Sequence, residues 1–176
     1  MRPRSPRFPI KTLKEQMVAY AAYHQHPKNK LTHLFGVPLA IVSLLIPLAW
    51  FRFAPLPEVV SGATLFYVVV MVYYFKLDRA LAAVVAVLAV PLVWAAERLG
   101  QLPFLESVLA FVLVTVLGWA MQLLGHRFEG KRPALTDNLA QIFNAPLFVV
   151  LEVYFFFGWR KALEEQVRAE LRRVEA

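Results

Sequence analysis

Histidine is the residue type in this chain whose number and spacing point most directly to chemistry. Three of the four histidines, His24, His26 and His33, lie within the stretch YHQHPKNKLTHLFGVPL, and His126 follows about a hundred residues later. Imidazole is a ligand of iron, zinc and copper, and its second ring nitrogen needs a hydrogen-bond acceptor. The chain has no cysteine, which excludes thiolate metal sites, disulfides and a thiol nucleophile. The histidines therefore predict an imidazole metal site.

A carboxylate accompanies the last histidine. Glu129 lies three residues after His126, so the two side chains share one face if a helix continues through them. Asp137 and Asn138 follow in the same polar stretch, GHRFEGKRPALTDN. Histidines and a carboxylate that leave coordination positions open are typical of non-haem iron(II) oxygenases. These residue types are therefore compatible with the site of a non-haem iron(II) oxygenase.

Each of these residues also has a structural explanation, because histidines at membrane interfaces are commonly hydrogen-bonded rather than metal-bound. His26 has the weakest case as a ligand, since it lies two residues from His24 and would face another side of a helix. Glu129 has Arg127 and Lys131 as neighbours, so a salt bridge is the alternative to a role at a metal. The candidate ligands are therefore the three histidines other than His26.

The elements that must position these residues are membrane helices. The chain has 176 residues, of which 59% are hydrophobic and 18% are charged, whereas soluble domains are roughly 45–50% apolar and about 25% charged. The apolar residues form blocks that approach or reach the length of about 20 residues needed to cross a bilayer. We therefore predict an all-α, polytopic membrane helical bundle with four transmembrane helices, in the blocks Leu34–Phe53, Val59–Phe75, Ala80–Ala96 and Phe104–Leu124.

Further helices complete one predicted domain. Apolar positions recur at three- and four-residue steps over residues 10–24, and Pro27 ends that helix, with Asn29 as the N-cap candidate of the next one. The block Phe143–Trp159 contains Glu152, and a carboxylate at full lipid depth would cost several kcal/mol, so we predict that this block does not cross. The predicted parts are an N-terminal amphipathic helix (10–26), four spans (34–124), a cytoplasmic motif loop (125–142), a buried or re-entrant helix (143–159) and an amphipathic tail (160–176).

The distribution of basic residues predicts the orientation in the membrane. Twelve lysines and arginines flank the four spans on the side of the N-terminus, whereas the other side carries only Arg52 and Arg98. The positive-inside rule then makes the N-terminus cytoplasmic and places all four histidines at that face. We expect an integral protein of the bacterial inner membrane, or of the endoplasmic reticulum in a eukaryote. The net charge of +7 favours anionic membrane lipids over nucleic acid as a partner, and an oligomer is compatible with these features.

Two motifs carry a resemblance to a known family. YHQHPKNKLTHLFGVP and MQLLGHRFEGKRPALTDNLAQIFNAPLFVVLEV together resemble the Mpo-like family of small membrane proteins, which contains the fungal 2-hydroxy fatty acid dioxygenase. The resemblance covers nearly the whole chain, although the middle spans match only in hydropathy and His26 does not fall on a family position. The matching positions are His24, Asn29, His33, Pro38, Gly125, His126, Phe128, Glu129, Pro133, Ala134, Asp137, Asn138, Pro146 and Glu152.

The resemblance implies an iron(II)-dependent dioxygenase of fatty acid α-oxidation. Such an enzyme uses molecular oxygen to convert a long-chain 2-hydroxy fatty acid to a fatty acid one carbon shorter. We expect the acyl chain to lie among the spans, and no organic cofactor is needed if the substrate supplies the electrons. The predicted roles are metal binding to Fe(2+) by His24, His33 and His126, a catalytic role as ligand or base for Glu129, and substrate binding by Asn29, Lys30 and Arg132.

Two other functions stay open at the level of sequence. His33 and His126 lie on different helices, which is also how a membrane bundle holds a b-type haem. A non-enzymatic lipid-binding protein would have the same spans. Di-iron desaturases need more histidines than this chain has, and the absence of a G-x-S-x-G motif argues against a serine hydrolase.

Overall fold

The computed structural model describes residues 12–53, 60–133 and 139–175, with backbone alone for residues 139, 140, 174 and 175. Ala134, Asp137 and Asn138 of the second motif lie outside the described residues. Within those ranges the chain forms seven α-helices and a short 3₁₀ helix, without any β-strand, which confirms the all-α class. The α-helices are α1 (Leu13–Ala21), α2 (Pro27–Ala49), α3 (Gly62–Leu77), α4 (Arg79–Gly100), α5 (Phe104–Glu129), α6 (Ala145–Phe156) and α7 (Lys161–Glu175), and the 3₁₀ helix is Leu139–Phe143.

Three of the described helices are long and apolar enough to cross a membrane. These are α2, α4 and α5, which have 23, 22 and 26 residues and mean hydropathies of 2.0 to 2.2. With 16 residues, α3 is shorter and spans about 24 Å at 1.5 Å per residue. A bend of 113° separates α6 from α7, and counting this pair as one broken span gives four spans in all. The apolar helices fit the predicted membrane bundle, and α3 is as short as the block Val59–Phe75 predicted there.

Local capping fixes where the first helices begin and corrects one prediction. Thr12 and Glu15 form a capping box at the start of α1. The N-cap of α2 is His26, whose Nδ1 accepts a hydrogen bond from the Lys28 amide, and Pro27 occupies the first helical position. The prediction that Asn29 is the N-cap is therefore wrong, because Pro27 starts α2 instead of ending α1. Asn29 instead lies fully buried in the first turn of α2.

The long helix α5 runs further than the sequence predicted. It continues through Glu129 and ends at Gly130, whose φ of +69° favours glycine at a helix C-terminus. Residues 125–129 are therefore helical, and the predicted loop 125–142 begins at about Gly130. This continuation matters for the site, because it places His126 and Glu129 on consecutive turns of one rigid helix.

Helices α2 and α5 run antiparallel and in close contact through glycines. A Cβ atom added at Gly36 would lie 3.0 Å from the Met121 Cβ, and one at Gly118 would lie 3.1 Å from the Ala40 amide nitrogen. At Gly125 an added Cβ would overlap the side chains of Asn29 and Thr32. Small residues let two helix backbones approach in a membrane. The approach at Gly125 brings the start of α2 against the end of α5, where the two halves of the predicted metal site lie.

A second layer of helices covers this end of the α2–α5 pair. Helices α1, α6 and α7 pack with α3 and α4 around a core that includes Met17, Tyr74, Leu81, Leu147 and Leu151. The packing places α1 beside α6 and α7, and His24, which follows α1, is buried there. The outer faces of α4 and α5 expose large apolar side chains, as expected where a helix contacts lipid.

Candidate metal centre

Three histidines from two distant parts of the chain form one buried cluster. His24 lies between α1 and α2, His33 lies in α2, and His126 lies near the end of α5. Only 2%, 2% and 6% of these residues is exposed. One ring nitrogen of each lies within 4.8 Å of the corresponding nitrogens of the other two. The structure thus brings together the three histidines that the sequence singled out, and no other group of three or more possible ligands occurs among the described residues.

Backbone carbonyls fix the orientation of two of these rings. The Nδ1 of His24 lies 2.8 Å from the Tyr20 carbonyl oxygen, and the Nδ1 of His33 lies 3.0 Å from the Asn29 carbonyl oxygen. A carbonyl oxygen only accepts hydrogen bonds, so each Nδ1 carries the proton and each Nε2 presents its lone pair. This is the arrangement in which metal-binding histidines are usually held. The α1–α2 turn, which carries His24, and α2, which carries His33, therefore direct unprotonated nitrogen atoms towards one place.

The Nε2 atoms of His24 and His33 lie close enough together to hold one metal ion. His24 Nε2 and His33 Nε2 are 3.2 Å apart. Two nitrogens that bind one ion at about 2.1 Å, with an angle of about 90–110° between them, are separated by about 3.0–3.4 Å. Burial, together with the nearby His33, His126 and Lys30, lowers the pKa of His24 to about 3, so a shared proton is disfavoured. Because neither Nε2 carries a proton, the two atoms share no hydrogen bond, and their separation fits two ligands of one metal ion.

The third histidine has an unsatisfied atom. His126 Nδ1 is buried and has no hydrogen-bond partner among the described residues. Its ring lies edge-on to both others, with centroids 4.9 Å from His24 and 5.1 Å from His33. A buried polar atom without a partner is costly, whereas a bound ion would satisfy it. The donor set of three neutral imidazoles therefore fits a divalent first-row metal ion.

Aromatic side chains enclose the histidines on the α1 and α6 side. Tyr20 stacks on His24, with ring centroids 4.0 Å apart and planes 4° from parallel. Phe148 of α6 packs against both rings. The sequence analysis did not identify Tyr20, although its position four residues before His24 is the spacing of neighbours on one helix face. These rings exclude water from one side of the cluster.

Glu129 lies next to the cluster but contacts the α1–α2 turn. Its carboxylate accepts hydrogen bonds from the backbone amides of Gln25 and His26, at 3.0 and 2.8 Å, and from the Asn29 side-chain amide at 3.0 Å. Glu129 is not one of the group whose ligand atoms lie within 4.8 Å of one another. These hydrogen bonds connect the end of α5 to the turn that carries His24. The geometry thus gives Glu129 a positioning role.

The other residues predicted to contact substrate have different environments. Asn29 donates to Glu129, and its own Oδ1 is buried without a partner among the described residues. Lys30 forms a salt bridge with Glu152 at 2.7 Å, so Glu152 faces protein rather than lipid. Arg132 is exposed just beyond the end of α5. His26, the residue without a family position, caps α2 and lies outside the histidine cluster.

Two cavities meet at this site. A small cavity of about 60 Å³ is bounded by the three histidines, Tyr20 and side chains of α5. A larger apolar cavity of about 340 Å³ lies between α2, α3, α4 and α6. Since one water-sized group needs about 10–15 Å³ of such volume, the small cavity accommodates only a few polar groups. It has no space for a porphyrin between His33 and His126, which disfavours the haem alternative.

Comparison with known proteins bears directly on the site. A family profile described as "2-hydroxy-palmitic acid dioxygenase Mpo1-like" matches residues 10–157, a range that includes all three histidines and both motifs. The chain belongs to the Mpo1-like family. This confirms the resemblance seen in the sequence. Helix α7 lies beyond the matched range.

A curated relative supports the same assignment. The 2-hydroxy-palmitic acid dioxygenase MPO1 of Saccharomyces cerevisiae is 32% identical over 164 residues, which cover 90% of this chain and 89% of the relative. No solved structure matches this chain significantly. The family of this Mpo1-like protein is therefore assigned from its sequence alone.

Proposed function

We propose that this Mpo1-like protein is an oxidoreductase, a dioxygenase that shortens long-chain 2-hydroxy fatty acids by one carbon and depends on iron(II). The observation that carries the proposal is the cluster of three buried histidines, two of which point unprotonated Nε2 atoms at each other across 3.2 Å. The relative's name supplies the class of substrate and reaction. Three imidazoles that leave coordination positions open are a donor set suited to iron(II) and dioxygen.

In this proposal the protein's own residues bind the metal, orient its ligands and exclude water from the site. His24, His33 and His126 would hold the iron, which when bound would supply the site for dioxygen activation. Glu129 fixes the turn that carries His24, and the Asn29 carbonyl oxygen holds the proton on His33 Nδ1. The ring of Tyr20 shields His24 from water.

The two cavities suggest how a fatty acid would bind. Its polar end fits the small cavity beside the histidines, and its acyl chain fits the larger cavity, whose lining is almost entirely apolar. An acyl chain that enters from the bilayer exchanges contacts with lipid for similar contacts with these apolar side chains, so the cavity accepts it at little cost. The substrate would reach the site from the lipid without crossing water.

A cationic group near the histidines favours a carboxylate as the polar end. Lys30 Nζ lies 6.0 Å from the centroid of the Phe148 ring, which is itself 5.7 Å from the His24 ring. We propose that Lys30 attracts the substrate carboxylate while remaining near Glu152. Asn29 and the exposed Arg132 complete the proposed substrate contacts. By the positive-inside rule we place this face, and the N-terminus, on the cytoplasmic side.

The overall reaction balances without a further reductant. A 2-hydroxy acid and one O₂ give the shortened acid, CO₂ and water, because oxidation of the substrate supplies all four electrons that dioxygen accepts. The proposal therefore requires no organic cofactor. It predicts that oxygen consumption depends on the 2-hydroxy acid alone once the metal is bound.

Oxygen consumption by purified protein tests the proposal. Protein loaded with iron(II) should consume oxygen with 2-hydroxypalmitate and form a fatty acid of 15 carbons, detected by mass spectrometry. His33→Ala should lose this activity, whereas His26→Ala, outside the cluster, should retain it. Binding of the acid with no oxygen consumption in any metal-loaded sample would favour a non-enzymatic lipid-binding protein instead.

A further inference from the structure

Gln122 lies where the two cavities meet. The cavities share four lining residues, and three of these, Ala40, Ile142 and Ala145, are apolar. Gln122 is the fourth, and it lies four residues before His126 on the same face of α5. A molecule that extends from the histidines into the apolar cavity therefore passes the Gln122 carboxamide.

The other polar groups of the large cavity are already engaged. The hydroxyl of Tyr67 donates to the Ala86 carbonyl oxygen at 3.2 Å, and that of Tyr74 donates to the Phe143 carbonyl oxygen at 2.6 Å. The Gln122 carboxamide, by contrast, has no hydrogen-bond partner within the described parts of the chain. An unpaired amide against an apolar wall is unfavourable unless a ligand or water bonds to it. Gln122 is thus the free polar group at this junction.

The backbone opposite Gln122 allows its side chain to lie there. A Cβ atom added at Gly36 of α2 would be 3.5 Å from the Gln122 Cδ. The carboxamide therefore packs over the open backbone of α2 instead of extending into lipid. This contact holds the carboxamide about one helical turn along α5 from the histidine cluster.

We propose that the Gln122 Oε1 accepts a hydrogen bond from the 2-hydroxyl group of the substrate and so selects 2-hydroxy acids over unsubstituted fatty acids. The inference rests on the proposed function and identifies a selecting residue within its site. With the carboxylate beside the histidines and the acyl chain in the apolar cavity, the carbon at the junction is the one next to the carboxyl group. That carbon carries the hydroxyl which distinguishes the two classes of acid.

Competition binding of 2-hydroxypalmitate and palmitate to iron-loaded protein in nanodiscs tests this role. Wild type should prefer the 2-hydroxy acid, and Gln122→Leu should lower that preference about 10-fold, because one buried hydrogen bond is lost. The near-isosteric Gln122→Met should have the same effect, and it carries the test if the leucine variant does not fold. Iron content should be unchanged in both variants.

Gln101→Leu provides the matched control. Gln101 is exposed at the end of α4, away from both cavities, so this variant should keep the wild-type preference. An unchanged preference in both Gln122 variants, or a wild type that binds the two acids equally, would overturn the inference. If wild type prefers the 2-hydroxy acid but consumes no oxygen with it, the proposed function fails, while loss of the preference in the Gln122 variants still supports the binding role.

Discussion

Substituting alanine for Gly125 tests whether close helix contact builds the histidine cluster. An added Cβ would overlap Asn29 Oδ1 and Thr32 Oγ1 and would lie 3.0 Å from His33 Nδ1. Ordinary van der Waals contact for such an atom is 3.4–4 Å. The first turn of α2 is held by its own hydrogen bonds, so α2 and α5 must separate by about 1 Å, at a cost of about 1–3 kcal/mol for overpacking.

Such a shift is large for a metal site. Ligand distances in a functioning site hold within about 0.2 Å, so moving His126 about 1 Å from His33 removes it as a ligand. We expect the iron(II) affinity of Gly125→Ala to fall by more than the 10–100-fold that loss of an outer-shell partner causes. The assay is an iron(II) titration of purified protein, with the thermal unfolding midpoint measured in parallel.

The last glycine of α4, Gly100, packs against the opposite end of α2 and supplies the matched control. An added Cβ at Gly100 would lie 2.7 Å from the Ala49 Cβ, which is also a tight helix contact but is remote from the histidines. Gly100→Ala should therefore lower the unfolding midpoint to a similar extent while leaving the iron affinity unchanged. Wild-type iron affinity in Gly125→Ala, or an equal loss of affinity in both variants, would show that the close contact at Gly125 does not position His126 as a ligand.

Three further predictions follow from the contacts around the site. Glu129→Gln should weaken iron binding about 10–100-fold, because the carboxylate that accepts hydrogen bonds from the turn carrying His24 loses its charge. An unchanged affinity in an iron titration would show that Glu129 does not position His24. A double-mutant cycle of Lys30→Met and Glu152→Gln in chemical unfolding should give a coupling energy of about 0.5–1 kcal/mol, and a value of zero would mean that the half-buried pair is not stabilising. The hydrogen bonds from Arg160 hold the pKa of Asp78 below its ordinary value of 3.8, so this pair stabilises the fold above that pH and the stabilisation is lost as the pH falls. In Asp78→Asn the free energy of unfolding should depend less on pH in this acid range, and a pH profile equal to that of wild type would contradict the role of the pair.

The sequence was sufficient to predict the helical class and the histidine cluster for simple physical reasons. Hydropathy locates the long helices, and an even number of crossings between His33 and His126 returns the chain to the same membrane face. The predicted association of His24 with His33 depends only on a break between two helices, which Pro27 provides. The separation of 3.2 Å between their Nε2 atoms was not predictable, because it depends on the Tyr20 and Asn29 carbonyl oxygens that orient the two rings.

The sequence predicted two helix ends incorrectly, because neighbouring residues offer alternative caps and end points. Asn29 and His26 are both able to cap a helix, and Pro27 decides in favour of His26 because proline suits the first helical position. Polar residues after His126 suggested a loop, yet hydrogen bonds between Glu129 and the α1–α2 turn favour a helix to that point. The partner of Lys30, Glu152, comes from α6 and is 122 residues away, so no sequence spacing predicts it.

X-ray absorption spectroscopy of the iron(II)-loaded protein tests directly whether the three histidines hold the metal. We expect about one iron per chain with imidazole nitrogens near 2.1 Å, reduced in number in His33→Ala and unchanged in His26→Ala. A wild-type protein that retains no iron, or an iron shell that is the same in His33→Ala as in wild type, would contradict it.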